Sequence, residues 1–160
     1  MPHHPSPNGS LSRHAIAVDV VLFTIQDGIL KVLLVKRQHA PFRGTWALPG
    51  GFVEEEESVD AAALRELQEE TNIDNVYLEQ LYTFGELNRD PRGRVVSVAY
   101  YALVNWQQFQ LRARRRVSEA SWFPVKRLPR LAFDHNSIVD YALERLRNKI
   151  NYTKIGRAHV

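Results

Sequence analysis

No cysteine occurs among the 160 residues, which excludes a disulfide framework, a thiolate nucleophile and a cysteine-ligated zinc site. That fits a reducing compartment, and the cytoplasm is the expected location. Long apolar runs are missing too: the longest, Ala15 to Ile25, is interrupted by Asp19 and is too short to span a bilayer. Met1 to Ser12 is rich in proline, serine and histidine and lacks the apolar core of a signal peptide. Nor is there a large excess of one charge. The formal net charge is +3, a weak basis for nucleic-acid binding, so neither a membrane nor a nucleic acid is expected as a partner of this chain. No internal repeat is visible, and a chain of this length can bury roughly two thirds of its unfolded surface as one domain.

What is present is unevenly distributed. Met1 to Ser12 has too few apolar residues to offset the entropy of ordering it and reads as a disordered tail. The domain is expected over residues 13–150, with a tail over 151–160. The last six residues, Ile155 to Val160, match a translated sequencing adapter and read as an appended artefact, which would place the end of the natural chain near Lys154. Within the domain, a valine-rich run from His14 to Ile25, the pair Asp27-Gly28 and the run Ile29 to Val35 predict an antiparallel hairpin. Trp46 to Leu48 is extended and closed by Pro49-Gly50-Gly51, whose glycines free the backbone for close approach to a ligand. Further strands are predicted over Val76–Phe84, Arg94–Val104 and Ser121–Val125. Ser58 can cap a first helix with Val59, Ala63 and Leu67 on its buried stripe; Asp134 can cap a last helix with Val139, Leu143, Leu146 and Ile150 inward. The expected fold class is α/β, a mixed sheet between two helices.

The acids are concentrated. Between Glu54 and Glu70 there are eight acids against one base, Arg65. Glu66, Glu69 and Glu70, at i, i+3 and i+4, project from one side of the first helix, where like charges repel by a few tenths of a kcal/mol per pair. Glu69 and Glu70 also lie in the last turn, which the helix dipole makes unfavourable for anions. A solvated acidic face is the bland explanation of three glutamates. Converging oxygen donors that break local rules point instead to Mg²⁺ or Mn²⁺.

Spacing decides between these. From Gly51 the chain runs five residues to Glu57, seven more to Arg65, and then Arg65-Glu66-Leu67-Gln68-Glu69-Glu70-Thr71-Asn72-Ile73. This resembles the Nudix box, G-x5-E-x7-R-E-U-x-E-E-x-G-U with U apolar, at every defined position but one. Asn72 stands where the family has glycine, and asparagine is the residue that best tolerates the left-handed backbone such a helix end needs. The resemblance covers nearly all of residues 14–149, including Trp46 to Gly51 and Leu131 to His135, and looks closest to bacterial ADP-ribose pyrophosphatases and the related regulators of NAD metabolism, which join a Nudix domain to a winged helix.

The resemblance implies a Nudix α/β/α sandwich and Mg²⁺-dependent hydrolysis of the pyrophosphate linkage in a nucleoside diphosphate derivative, with ADP-ribose leading and Mn²⁺ as a possible substitute. It implies that Glu66, Glu69 and Glu70 hold metal with the Gly50 carbonyl, that Arg65 orients the carboxylates, and that Glu57 is an outer ligand or loop anchor. Glu70, Glu86 and Glu119 are candidates for general base. Among the three arginines of residues 89–94, Arg92 and Arg94 are the candidates for holding the terminal ribose, an ordinary polar turn being the alternative. The run Arg112, Arg114, Arg115, Arg116 reads as an exposed basic loop, or one that steers anions. His39 and His135 read as packing or capping residues. A homodimer is compatible with all of this. Two other readings stay open: an ADP-ribose sensor that has lost its winged helix, and an enzyme acting on oxidised nucleotides.

Overall fold

The computed structural model describes residues 13–158, so the tail expected over residues 1–12 lies outside it, as do residues 159–160. Seven strands, Ala15–Gln26 (β1), Ile29–Arg37 (β2), Trp46–Ala47 (β3), Gly50–Phe52 (β4), Glu79–Phe84 (β5), Val95–Val104 (β6) and Val117–Pro124 (β7), form one sheet with helices Val59–Thr71 (α1) and His135–Ala158 (α2). The sheet is mixed. β1 runs parallel to β6 and antiparallel to β2 and β4, while β7 closes against β2. No helix among the described residues is long and apolar enough to cross a membrane.

Alternation along the central strand makes the sandwich. Val18, Val20 and Leu22 of β1 pack with Ala62, Ala63 and Leu67 of α1, whereas Val21 and Phe23 point the other way to Ile138, Val139, Ala142 and Leu146 of α2. The expected hairpin turns at Asp27 and Gly28, both with positive φ, the conformation that matches the twist of the flanking strands. The last helix turns Val139, Leu143 and Leu146 inward as expected, but departs from expectation at its cap and at Ile150, and it runs on to Ala158 through residues expected as a tail. Ile150 is exposed, and Ile138 and Ala142 complete the buried stripe. Asp134 starts the helix through its carbonyl, which accepts from Ser137 and Ile138, while its carboxylate takes the fork of Arg89.

Helix α1 is bounded as its sequence predicts. The Ser58 side chain accepts from the Ala61 N–H at 3.1 Å, and Asn72 ends the helix at φ 67°, with its N–H on the Gln68 carbonyl and its Nδ2 on the Gln110 carbonyl at 2.9 Å. Asn72→Ala should therefore cost about 1–2 kcal/mol, the left-handed penalty of an ordinary residue. Asn72→Gly should be close to neutral, because lost backbone strain offsets the lost side-chain bond. Urea denaturation of both variants checks this, and an alanine variant as stable as the parent would mean the helix ends elsewhere.

Candidate active site

Two neighbouring backbone features bring the acidic helix to the sheet. β4 pairs with β1 so that Gly50 faces Asp19, and the Gly50 N–H donates to Glu70 Oε1 at 2.9 Å. A Cβ on Gly51 would stand 2.6 Å from the Glu66 carboxyl carbon. The Gly-Gly pair thus lets two carboxylates of α1 lie directly against backbone, Glu66 at 1% and Glu70 at 5% exposure.

Arg65 organises the acids around it. Its Nε and NH2 bond the Glu57 carboxylate, NH1 reaches Glu66 at 2.8 Å and Glu69 at 3.1 Å, and NH2 also donates to the Phe52 carbonyl at 3.1 Å. These bonds hold the Glu57 carboxyl below the usual range and raise the Arg65 guanidinium further. One residue therefore ties the loop before α1, the strand β4 and two carboxylates into a single unit.

The basic run is exposed, as expected, but it is also tied to the end of α1. The N–H groups of Arg112 and Arg114 donate to the carbonyls of Thr71 and Glu70 at 3.0 Å, satisfying acceptors that a helix C-terminus leaves open. From this position Arg115, itself at φ 56°, reaches Glu69 at 3.1 Å, and Arg116 reaches Glu66 at 3.0 Å. The run is the counter-charge of the acidic helix. Sequence spacing could not show this, since about fifty residues separate Arg116 from Glu66 and nearly as many separate Arg115 from Glu69.

Burial, and then the charge of Glu66, push Glu70 up to about 8, against the pull of the Gly50 N–H. Below that value folded Glu70 keeps a proton that the unfolded chain loses near its ordinary 4.5. Stability of the metal-free protein should accordingly fall as pH rises from about 4.5 to 8 through this group, and Glu70→Gln should flatten that slope. Melting temperatures across the interval test it, and an unchanged slope in the variant would contradict it.

As they stand, no three His, Asp or Glu side chains among the described residues converge as a metal site. Glu66 and Glu69 are held by arginines instead. The donor chemistry nonetheless fits a hard divalent cation, with oxygen ligands only and a carboxyl, Glu70, whose proton affinity is raised by burial and by the neighbouring charge of Glu66.

The cleft above these groups is lined by Glu70, Gly50, Gly51, Phe52, Arg37, Arg92, Arg116 and Phe133 among others. Of the base candidates only Glu70 lines it; Glu86 and Glu119 are exposed elsewhere. Arg92 lines it, with its fork closed on Asp90 at 3.1 and 2.8 Å. Arg94 is exposed outside it. His39 is an exposed residue at its edge. The cleft floor also holds a polar network: Asp19 accepts from Ser97, lies 3.2 Å from His135 Nε2 and 3.9 Å from Arg89, while His135 Nδ1 accepts from the Leu48 N–H at 3.0 Å. Burial alone would raise the Asp19 carboxyl, but His135, Ser97 and Arg89 hold it below the usual range. The aspartate that interrupts the first apolar run was the signal for this network.

The acidic helix lies against the Gly50-Gly51 backbone of β4, and comparison with known proteins shows the family to which this fold belongs. The NUDIX domain profile matches residues 13–145. An ADPR-responsive transcriptional repressor, NtrR, of Acinetobacter baylyi is 38% identical over 156 residues, covering 95% of this chain and 59% of that protein. An ADP-ribose pyrophosphatase of Methanocaldococcus jannaschii is 42% identical over 120 residues, 72% of this chain and 70% of that one. Among solved structures, the NUDIX domain of Shewanella oneidensis NrtR complexed with ADP ribose superposes with a TM-score of 0.79 at 43% identity, over 88% of this chain and 93% of that one. The chain belongs to the Nudix family, and its α/β sandwich is the Nudix fold.

Proposed function

We propose that the chain hydrolyses the pyrophosphate linkage of a nucleoside diphosphate derivative, with ADP-ribose, split into AMP and ribose 5-phosphate, as the leading substrate. The observation that carries this is the unit formed by Glu66, Glu69, Glu70, Arg65 and Glu57 around Gly50-Gly51 at the floor of the cleft. A regulator that only binds a ligand has no need of the whole set. Similarity to the Methanocaldococcus enzyme supports the choice of substrate, and the absence of cysteine fits a cytoplasmic location.

Glu66, Glu69, Glu70 and the Gly50 carbonyl would hold Mg²⁺, or Mn²⁺ in its place. When bound, the metal supplies positive charge to the anionic oxygens around the reacting phosphorus and to the attacking water. The chain's own part is positioning. Arg65 and Glu57 fix the carboxylates, Gly51 leaves room for Glu66, and Glu70, the one of the three base candidates that lines the cleft, is the carboxyl placed to take a proton from water. Arg116 carries positive charge at the mouth of the same cleft.

A panel of nucleotide derivatives with Mg²⁺, read out for AMP, phosphate and pyrophosphate, tests the substrate. ADP-ribose should be turned over to AMP and ribose 5-phosphate, and faster turnover of oxidised deoxynucleoside triphosphates would replace it as substrate. A second reading has its own support in the similarity to NtrR and to the ADP-ribose complex of NrtR. There the cleft senses ADP-ribose, and the expected result is stoichiometric binding of intact ligand without turnover.

A further inference from the structure

At the mouth of the cleft four side chains alternate between cation and ring. The Arg37 guanidinium lies 5.0 Å from the Phe133 ring centre, Arg92 lies 5.6 Å from the same ring centre, and Arg92 is 4.8 Å from the Phe52 ring centre. All four residues line the cleft. Each contact is within the range where a ring quadrupole attracts a cation. Two arginines about one phenylalanine would otherwise repel, so the rings are part of what allows both charges here.

Two features suggest that this arrangement is built for a ligand. First, Phe133 has φ 54°, and Phe42, an exposed residue that does not line the cleft, packs edge-on to it at φ 60° with ring centres 4.7 Å apart. Non-glycine residues in the left-handed region are strained, and such strain persists only where the surroundings impose it. At Phe133 they do, because Ala132 N–H donates to the Trp46 carbonyl and His135 Nδ1 accepts from the Leu48 N–H, pinning the backbone on both sides of the ring. Second, the hydrogen-bonding edge of Arg92 is filled by Asp90, which is 5% exposed, while the Arg92 side chain is 42% exposed. What Arg92 offers the cleft is a flat face, with the Nε–Nη2 edge of the guanidinium fixed on Asp90 and only its Nη1 end left for other acceptors.

We propose that Phe52, Arg92 and Phe133, with Arg37 behind, form the seat for the substrate's nucleobase, recognised by stacking on rings and guanidinium rather than by hydrogen bonds to its edge. This rests on the cleft taking a nucleoside diphosphate derivative. Phe52 is two residues from Gly50, whose N–H holds Glu70, so a base seated there keeps its diphosphate close to the carboxylates of α1. Stacking of this kind distinguishes a ligand with a base from one without, and adenine from guanine only weakly.

The test compares ADP with ribose 5-diphosphate, which has the same diphosphate and sugar but no base, by calorimetry on the full chain, and adds the KM for ADP-ribose. Phe52→Leu, Phe133→Leu and Arg92→Lys should each weaken ADP, and raise that KM, by about tenfold or more, the scale of one lost base stack. Binding of ribose 5-diphosphate should change little, and Phe52→Tyr should retain ADP affinity. Arg92→Lys keeps a charge for Asp90 and removes the flat face; should strain make Phe133→Leu fail to fold, the other two variants decide. Equal weakening of both ligands would place these residues at the phosphates and overturn the proposal, as would a parent chain that binds ADP no better than ribose 5-diphosphate. ADP-ribose that is bound through the base but never cleaved would overturn the hydrolase reading alone, and cleavage with no base dependence would overturn the seat alone.

Discussion

Glu66→Gln should lower turnover at saturating Mg²⁺ by at least about a hundredfold, the scale of ~3 kcal/mol for a contact made in the transition state. The substitution replaces a charged oxygen ligand at 1% exposure with a neutral one of the same shape. Glu70→Gln should lose activity to a similar extent, but the two variants should separate in stability. Glu66 takes both Arg65 and Arg116, so its amide leaves two guanidiniums facing a neutral group and should lower the melting temperature of the metal-free protein. Glu70 is a carboxyl whose ionisation is opposed by burial, so its amide should raise the melting temperature at pH 8 and above. The bare sequence, with three like charges on one helix, predicts relief of repulsion for either variant; the arginines that reach in from residues 112–116 make the difference. A Glu66→Gln enzyme with near-normal turnover in excess Mg²⁺ would remove the helix from the chemistry.

Adjacent glycines should fail in different ways. A Cβ on Gly50 would lie 2.1 Å from the Val18 carbonyl oxygen, a backbone atom that cannot turn aside. Gly50→Ala should therefore cost about 3 kcal/mol or more, at the upper end of overpacking effects, and lower the melting temperature by on the order of 10 °C for a chain of this size. A Cβ on Gly51 meets only the end of the Glu66 side chain, at 2.6 Å, and that end can move. Gly51→Ala should fold, yet lose on the order of a hundredfold in turnover, because a shift of about 1 Å in a reacting group costs that much. Calorimetric melting and steady-state rates on the two variants separate the effects. A Gly51→Ala protein of full activity would show that the carboxylate's seat against β4 is not required.

Much of the fold was legible because its signals are local. Asp27-Gly28 between two valine-rich runs specifies its hairpin, Ser58 and Asn72 bound α1 through their own backbone chemistry, and the box residues fall on one helix face whatever surrounds them. The site was legible only as far as that face extends. The fork of Arg92 is closed by Asp90 two residues away, and the fork of Arg89 by Asp134 from a distant turn; a list of arginines in a loop does not show which forks are already filled. Arg94, grouped with Arg92 on sequence, is an exposed residue just before β6 and does not line the cleft. The ring of Phe133 and the guanidinium of Arg37 meet because β2 and the turn before α2 adjoin in space, a pairing with no counterpart in spacing. Asp19 and His135 are likewise one contact made of two separate hints, a charge in a buried strand and a histidine at a helix start.

Product analysis of ADP-ribose incubated with the chain and Mg²⁺, beside the same mixture with a chelator and beside Glu66→Gln, tests the central claim most directly. The expected result is AMP and ribose 5-phosphate in equal amounts with the metal and the parent chain, and intact ADP-ribose in both controls. Intact ADP-ribose in all three, recovered bound to the parent chain, would contradict hydrolysis and leave a sensor of that ligand.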